Sequence, residues 1–165
     1  MHVEWHGQSA FTLTGDGRKV VIDPFGDMSG LARDRELQFE YPAIDVDDVD
    51  LLLITHEHID HNGTDGIAGD PEVLRSTAGK LESPTGEVVA IASEHDDAAG
   101  TERGPNTIFA FDLDGLRVAH FGDFGQAELR PEQAAALEGV DLLLDRKSTR
   151  LNSSHKTVSR MPSSA

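Results

Sequence analysis

The 165-residue sequence predicts an α/β layered domain. Two observations predict it. Short apolar runs of strand length recur along the chain, with stretches of helical composition between them. Polar residues able to do chemistry gather where several of those runs end. The densest gathering is Thr55-His56-Glu57-His58-Ile59-Asp60-His61, directly after the apolar run Leu51-Leu52-Leu53-Ile54.

The elements follow in order. Residues 3–5, 10–13 and 19–22 read as strands, and Gly15-Asp16-Gly17 as the hairpin turn between the second and third. Asp23-Pro24-Phe25 ends the third, because proline has no N–H to continue a ladder. Residues 26–43 lack a period and contain Gly26, Gly30 and Pro42, which predicts a long loop of the kind that serves as a lid. Arg33 and Arg35 are expected to be solvated there. Asp45, Asp47, Asp48 and Asp50 read as a solvated helical turn before the buried strand 51–54. Beyond the histidines, Asn62-Gly63-Thr64-Asp65-Gly66 leads into a weakly helical stretch and further turns up to Gly86. Residues 87–92 are a strand ending in Ser93-Glu94-His95-Asp96-Asp97. Residues 107–113 and 116–121 form a hairpin around Asp114-Gly115 that ends at Gly122-Asp123-Phe124-Gly125. Pro131 opens a short helix reaching Glu138, proline being suited to a first helical turn. Residues 140–144 read as a last buried strand.

Composition changes at Asp145. Residues 145–165 carry five of the 14 basic residues and one of the 30 acidic ones, leaving residues 1–144 at a net charge of −20. The stretches DRKSTRLNSSH and SRMPSSA resemble a translated sequencing adapter. Two regions are therefore expected: 1–144, the N-terminal part of a domain left incomplete at its C-terminus, and 145–165, a non-native tail. As it stands, the chain is expected to be poorly soluble or inactive.

The whole chain has a net charge of −16, the opposite of the basic footprint that nucleic-acid binding needs. With no cysteine there is neither a disulfide framework nor thiolate chemistry. No run approaches the ~20 apolar residues of a membrane span, and no basic-then-apolar leader is present. A cytoplasmic protein acting on a small molecule is expected, with the assembly state open.

Neutral imidazoles and carboxylates are the ligands that borderline divalent metals such as zinc prefer. His56 and His58 are two apart, so in an extended segment they face the same way and can hold one ion. His95 can add a third nitrogen. Asp60 and His61 lie just beyond, where the chain turns, and can face a second ion. Asp123, set between glycines, can bridge both. Glu57, Asp96 and Asp23 are candidates to orient the imidazoles from behind. His6 and His120 read as structural.

Thr55–His61 matches the HxHxDH signature of the metallo-β-lactamase superfamily. Trp5-His6-Gly7-Gln8-Ser9-Ala10-Phe11, Ile22-Asp23-Pro24-Phe25, the segment around His95, Arg103-Gly104-Pro105-Asn106-Thr107-Ile108 and His120-Phe121-Gly122-Asp123 resemble the branch containing ascorbate-6-phosphate lactonase. The resemblance covers residues 1 to about 144. It implies an αββα sandwich with a dinuclear site between its sheets. In that pattern His56, His58 and His95 bind the first metal, Asp60 and His61 the second, and Asp123 bridges. Many relatives have histidine where Gln8 stands, and the family adds another histidine from beyond residue 144.

Divalent ions lower the pKa of bound water from 15.7 to roughly 7, so hydroxide forms at neutral pH. The expected function is hydrolysis of a small ester, lactone or phosphoester by hydroxide held between two metals, with Asp60 orienting it. Zinc is the expected metal, with manganese and iron as alternatives. The competing readings are a metal-dependent phosphodiesterase or nuclease, and a metal-binding domain without turnover.

Overall fold

The computed structural model describes residues 1–34, 39–145 and 157–160. Its strands form two sheets. The first holds β1 (His2–Gly7), β2 (Ala10–Gly15), β3 (Arg18–Ile22), β4 (Leu51–Ile54) and β5 (Glu72–Arg75) in that spatial order. The second, read from its opposite edge, holds β6 (Gly79–Ser83), β7 (Gly86–Glu94), β8 (Pro105–Leu113), β9 (Leu116–His120), β10 (Leu142–Asp145) and β11 (Thr157–Arg160). Both sheets are mixed: β3, β4 and β5 run parallel, as do β9 and β10, and the other neighbours are antiparallel. The helices α1 (Ser29–Asp34) and α2 (Pro131–Ala136) are short.

Strand periodicity explains the layers. Side chains alternate between faces, so every second residue of a strand shares one environment. In β4, Leu51 and Leu53 point into a core shared with Phe11, Val88, Phe109 and Phe111 of both sheets. Leu52 and Ile54 point the other way, into a cluster with Phe25, Met28, Ile44, Val46 and Val49. Burial on both faces is why β4 is apolar without alternation. On the far side of the second sheet, Ala110, Ala119 and Val140 pack with Leu137, just after α2.

The topology also decides where chemistry can happen. β3 and β4 are parallel, so their carboxyl ends share an edge. β7 and β9 both run opposite to β8, so theirs share an edge too. The two edges meet where Thr107 N–H donates to the Thr55 carbonyl at 2.9 Å.

Three segments differ from the sequence reading. Residues 62–86 contain β5 and β6 rather than a weak helix. These edge strands bring only Leu74 and Leu81, each partly buried, to the inter-sheet core, so the apolar period is one residue long in each. Residues 45–50 are not helical. Val46 bridges Ile67 and Val49 is buried, while Asp50 accepts from Arg18 Nη1 at 2.7 Å and Lys19 N at 2.8 Å. The expected loop 26–43 contains α1, and Phe25 and Met28 pack at its root. Arg35 lies outside the described residues. Within the expected tail, Asp145 ends β10 and β11 pairs with it; residues 146–156 and 161–165, His155 among them, lie outside the described residues.

Candidate metal centre

Four strand ends supply the site: Asp23 follows β3, Thr55–His61 follow β4, His95 follows β7 and Asp123 follows β9. Two donor triads form there. His56, His58 and His95 offer ligand atoms all within 4.8 Å of one another, and so do His56, His61 and Asp123. His56 belongs to both. Its Nε2 is 3.0 Å from His58 Nδ1. Asp123 spans the triads, with Oδ2 3.1 Å from His95 Nε2 and Oδ1 3.4 Å from His61 Nε2. Asp60 sits at the rim, its Oδ2 3.8 Å from His61 Nε2.

The centre of this arrangement is Asp23, which is fully buried. Oδ1 accepts from Thr55 N at 2.7 Å. Oδ2 accepts from Thr55 Oγ1 at 2.7 Å, His61 Nδ1 at 2.8 Å and His120 Nε2 at 3.0 Å. Burial alone would raise its pKa, but the charge on His61 and the imidazole hydrogen bonds outweigh that and hold the carboxyl well below the usual range. An ionised carboxylate only accepts, so the Thr55 hydroxyl must give its proton to Asp23. That hydroxyl can then only accept from His56 Nδ1, 3.0 Å away. The His56 tautomer follows: Nδ1 carries hydrogen, and the Nε2 lone pair faces the site.

His61 is fixed in the same sense. Nδ1–H donates to Asp23, and Nε2, buried with no hydrogen-bond partner, faces Asp123. A buried orphan nitrogen beside a carboxylate and a second imidazole is the donor set a divalent cation satisfies. The residues present therefore fit a metal.

Backbone geometry supports these positions. Gly122 has φ +56, and a Cβ there would lie 2.5 Å from Asn106 Oδ1 and 2.6 Å from Thr55 Oγ1. Glycine is thus required for β9 to deliver Asp123 beside β4. Asp123 N–H donates to that same Asn106 oxygen at 3.1 Å. A Cβ on Gly125 would lie 2.1 Å from the His95 carbonyl.

The chain matches the family described as the beta-lactamase superfamily domain over residues 2–156. It belongs to the metallo-β-lactamase superfamily. Among curated relatives of this superfamily member, a UPF0173 metal-dependent hydrolase from Methanoregula boonei is 30% identical over 150 residues, covering 76% of this chain and 60% of that protein. One from Staphylococcus carnosus is 28% identical over 154 residues, covering 76% and 64%. A third, from Nitratidesulfovibrio vulgaris, is 43% identical over 61 residues, 37% of this chain and 23% of that protein. The chain thus spans less than two thirds of the length of these relatives. Among solved structures, a protein from Thermotoga maritima proposed to be a Zn-dependent hydrolase of the superfamily aligns with TM-score 0.64 and 23% identity, over 86% of this chain and 58% of that one. The isothiocyanate hydrolase from Delia radicum gut bacteria aligns with TM-score 0.57 and 13% identity, over 92% and 73%. These likenesses show the fold: two mixed sheets of the metallo-β-lactamase type.

The structure brings His56, His58, His61, His95 and Asp123 together and sets Asp60 at their edge. It also distributes the three candidate orienting carboxylates. Asp23 orients His61 directly and His56 through Thr55. Glu57 turns outward to Arg75, Ser76 and Asn62. Asp96 gathers the backbone N–H groups of Ala98, Gly100, Glu102 and Arg103. His6, read as structural, pairs with Thr12 Oγ1 at 2.7 Å. His120, also read as structural, lies behind the site as a donor to Asp23. The parts of the centre not singled out from sequence are Thr55 and Asn106, whose side chains resemble ordinary strand-end residues until the two sheets meet. Among the described residues no helix is long and apolar enough to cross a membrane.

Proposed function

We propose that this chain carries the centre of a metal-dependent hydrolase acting on a small ester, lactone or phosphoester, akin to the ascorbate-6-phosphate lactonase branch. One observation carries the reading: two donor triads share His56 and are spanned by the two oxygens of Asp123. In this reading His56, His58 and His95 hold one divalent ion, and Asp60 and His61 hold a second. Asp123 lies between them, and zinc is the first choice of metal. Such ions supply Lewis acidity and bring the pKa of water toward ~7.

The remaining work falls to the chain. Thr55 and Asp23 hold the His56 and His61 tautomers, so no imidazole has to turn when substrate enters. Burial of His56, His61, His95 and Asp123 keeps bulk water from competing for them. Asp60, less buried at the rim, is placed to orient a water and take up its proton.

The test is elemental analysis of the purified 165-residue chain after dialysis, followed by a screen of lactones, simple esters and bis-nitrophenyl phosphate. Stoichiometric zinc that His56→Ala reduces is the expected result. A chain that retains no zinc under saturating supply would end this reading. Turnover confined to the phosphodiester would move the assignment to phosphodiesterase.

A further inference from the structure

A cavity of about 210 Å³ opens beside the donor triads, and His56 and His58 form part of its wall. Ser76, Thr107 and Arg103 form other parts. Pockets for drug-sized ligands run to roughly 300–1,000 Å³, so this one suits a small group rather than a polymer.

Two residues carry formal charge in the cavity wall, Glu57 and Arg103. Glu57 is already neutralised. Its carboxylate accepts from Arg75 Nε at 3.1 Å and Nη2 at 2.7 Å, and from Ser76 Oγ at 2.7 Å. Arg103 is held differently. Its backbone N–H donates to Asp96 Oδ2 at 2.7 Å, and among the described residues no ion pair engages its guanidinium. A chain with 30 acidic and 14 basic residues has thus left a cation without an ion pair among the described residues, in the wall of the cavity that is lined by two of its metal-site histidines.

The backbone that carries that cation is also firmly held. The loop carrying it begins immediately after His95, and Asp96 fastens it by collecting four backbone N–H groups at 2.7 to 3.1 Å. His95 N–H donates to the Gly104 carbonyl at 3.1 Å, closing the loop at its base. One short segment therefore fixes both a donor of the first triad and the backbone from which the guanidinium extends. A guanidinium presents five donors in a planar fork that matches the oxygens of a carboxylate or phosphate.

We infer that this cavity is an anion subsite, in which Arg103 grips a carboxylate or phosphate group of the substrate while the scissile bond lies against His56 and His58. This deepens the hydrolase reading and rests on it: the substrate is a small anionic ester, lactone or phosphoester. Arg103 is then a specificity determinant, separate from the metal ligands.

The experiment titrates inorganic phosphate, and separately acetate, into the full chain with and without zinc. Heteronuclear NMR follows binding in the wild-type chain, Arg103→Gln, Arg103→Lys and the charge-matched surface control Lys80→Gln. Charged hydrogen bonds are worth about 1.5–3 kcal/mol, so Arg103→Gln should weaken anion binding about tenfold or more. Arg103→Lys should recover part of the loss, Lys80→Gln should behave as wild type, and all four should hold the same amount of zinc. Equal anion binding by wild type and Arg103→Gln would overturn the inference, as would no binding of either anion by wild type at millimolar concentration. Arg103-dependent binding in a chain that takes up no zinc would sink the hydrolase reading and leave the anion subsite in place.

Discussion

His56 has two unlike neighbourhoods. On one side stand His58, which is exposed, and His95, whose Nδ1 is buried without a hydrogen-bond partner. On the other stand His61, Asp123, Asp23 and His120, sealed from solvent and tied through one carboxylate. The difference shows in proton affinity. Burial and the charge of nearby His61 push His56 down to about 4, and burial lowers His58 as well. Burial acts on His61 in the same direction, but Asp23 and Asp123 outweigh it and hold that imidazole up to about 10. His56 and His58 thus present neutral nitrogens ready to ligate, whereas the sealed side holds a proton in the place an ion would take. Pre-organisation by a carboxylate fixes ring geometry, and it also makes the ring harder to deprotonate.

The largest effect should come from the residue common to both sides. His56→Ala removes a donor from each triad, whereas His58→Ala and His61→Ala each remove one. Loss of an outer partner typically costs 10–100-fold in metal affinity, and loss of a ligand should exceed that. His56 has one free lone pair, on Nε2, so it ligates one ion, but its ring also packs against His61 at a centroid distance of 4.1 Å. Zinc titration against a chelating indicator should show His56→Ala losing the step on the His58–His95 side and weakening the other, with His58→Ala losing only the former and His61→Ala only the latter. Loss of the same step in all three variants would break the picture of two triads joined at His56.

Asp23→Asn isolates the sealed side. The amide keeps the shape but cannot accept from Thr55, His61 and His120 together, and it removes the charge that fixes the His61 proton on Nδ1. Affinity for the ion on the His61 side should drop about 10–100-fold, with a smaller change on the His58–His95 side, which Asp23 reaches only through Thr55 and His56. Calorimetric zinc titration with two resolved steps would show the asymmetry.

A pH series sharpens the contrast further. Binding on the His61 side must expel a proton held to about 10, so its apparent affinity should rise about tenfold per pH unit from 6 to 9. Binding at His56 should be flat over that range, because that ring is already neutral above about 5. Stability of the metal-free chain follows the sign of the same shift. A folded-state pKa raised above 6.5 contributes stability that is complete below about 6.5 and is lost as pH rises through about 10. Thermal melts of the chelated chain should therefore fall from pH 7 to 10.

The unlike halves were also unequally legible in the sequence. The histidine run could be read because it follows four consecutive apolar residues, and His95 and Asp123 because each ends a clear strand. That Asp23 is the hub could not be read. Asp23, Glu57 and Asp96 are alike on paper, and only the parallel pairing of β3 with β4 puts Asp23 behind the loop. Thr55 was hidden in the same way, since its role depends on a hydroxyl caught between Asp23 and His56. β5 and β6 escaped because an edge strand with one apolar contact has no period to detect. Residues 45–50 were misread because their acidic side chains outnumber the buried Val46 and Val49 that determine the path.

Glu57 provides the smallest predicted effect and the cleanest control on the comparison. It lies between two donors of the open side, yet its side chain is 50% exposed and bonded to Arg75, where Asp23 is fully buried. The Arg75 hydrogen bonds, opposed by partial burial, hold its carboxyl down to about 2. A depressed carboxylate contributes stability above its unfolded value near 4.5 and loses it as pH falls through about 2. Solvent screening limits such an exposed pair to about 0–1 kcal/mol. Arg75→Gln should therefore shift the urea midpoint at pH 7 only slightly, converge with wild type near pH 2, and leave both zinc-binding steps unchanged. A substantial loss of zinc in Arg75→Gln would mean that Glu57 steadies His56 and His58 after all, and that the open side has an organising carboxylate of its own.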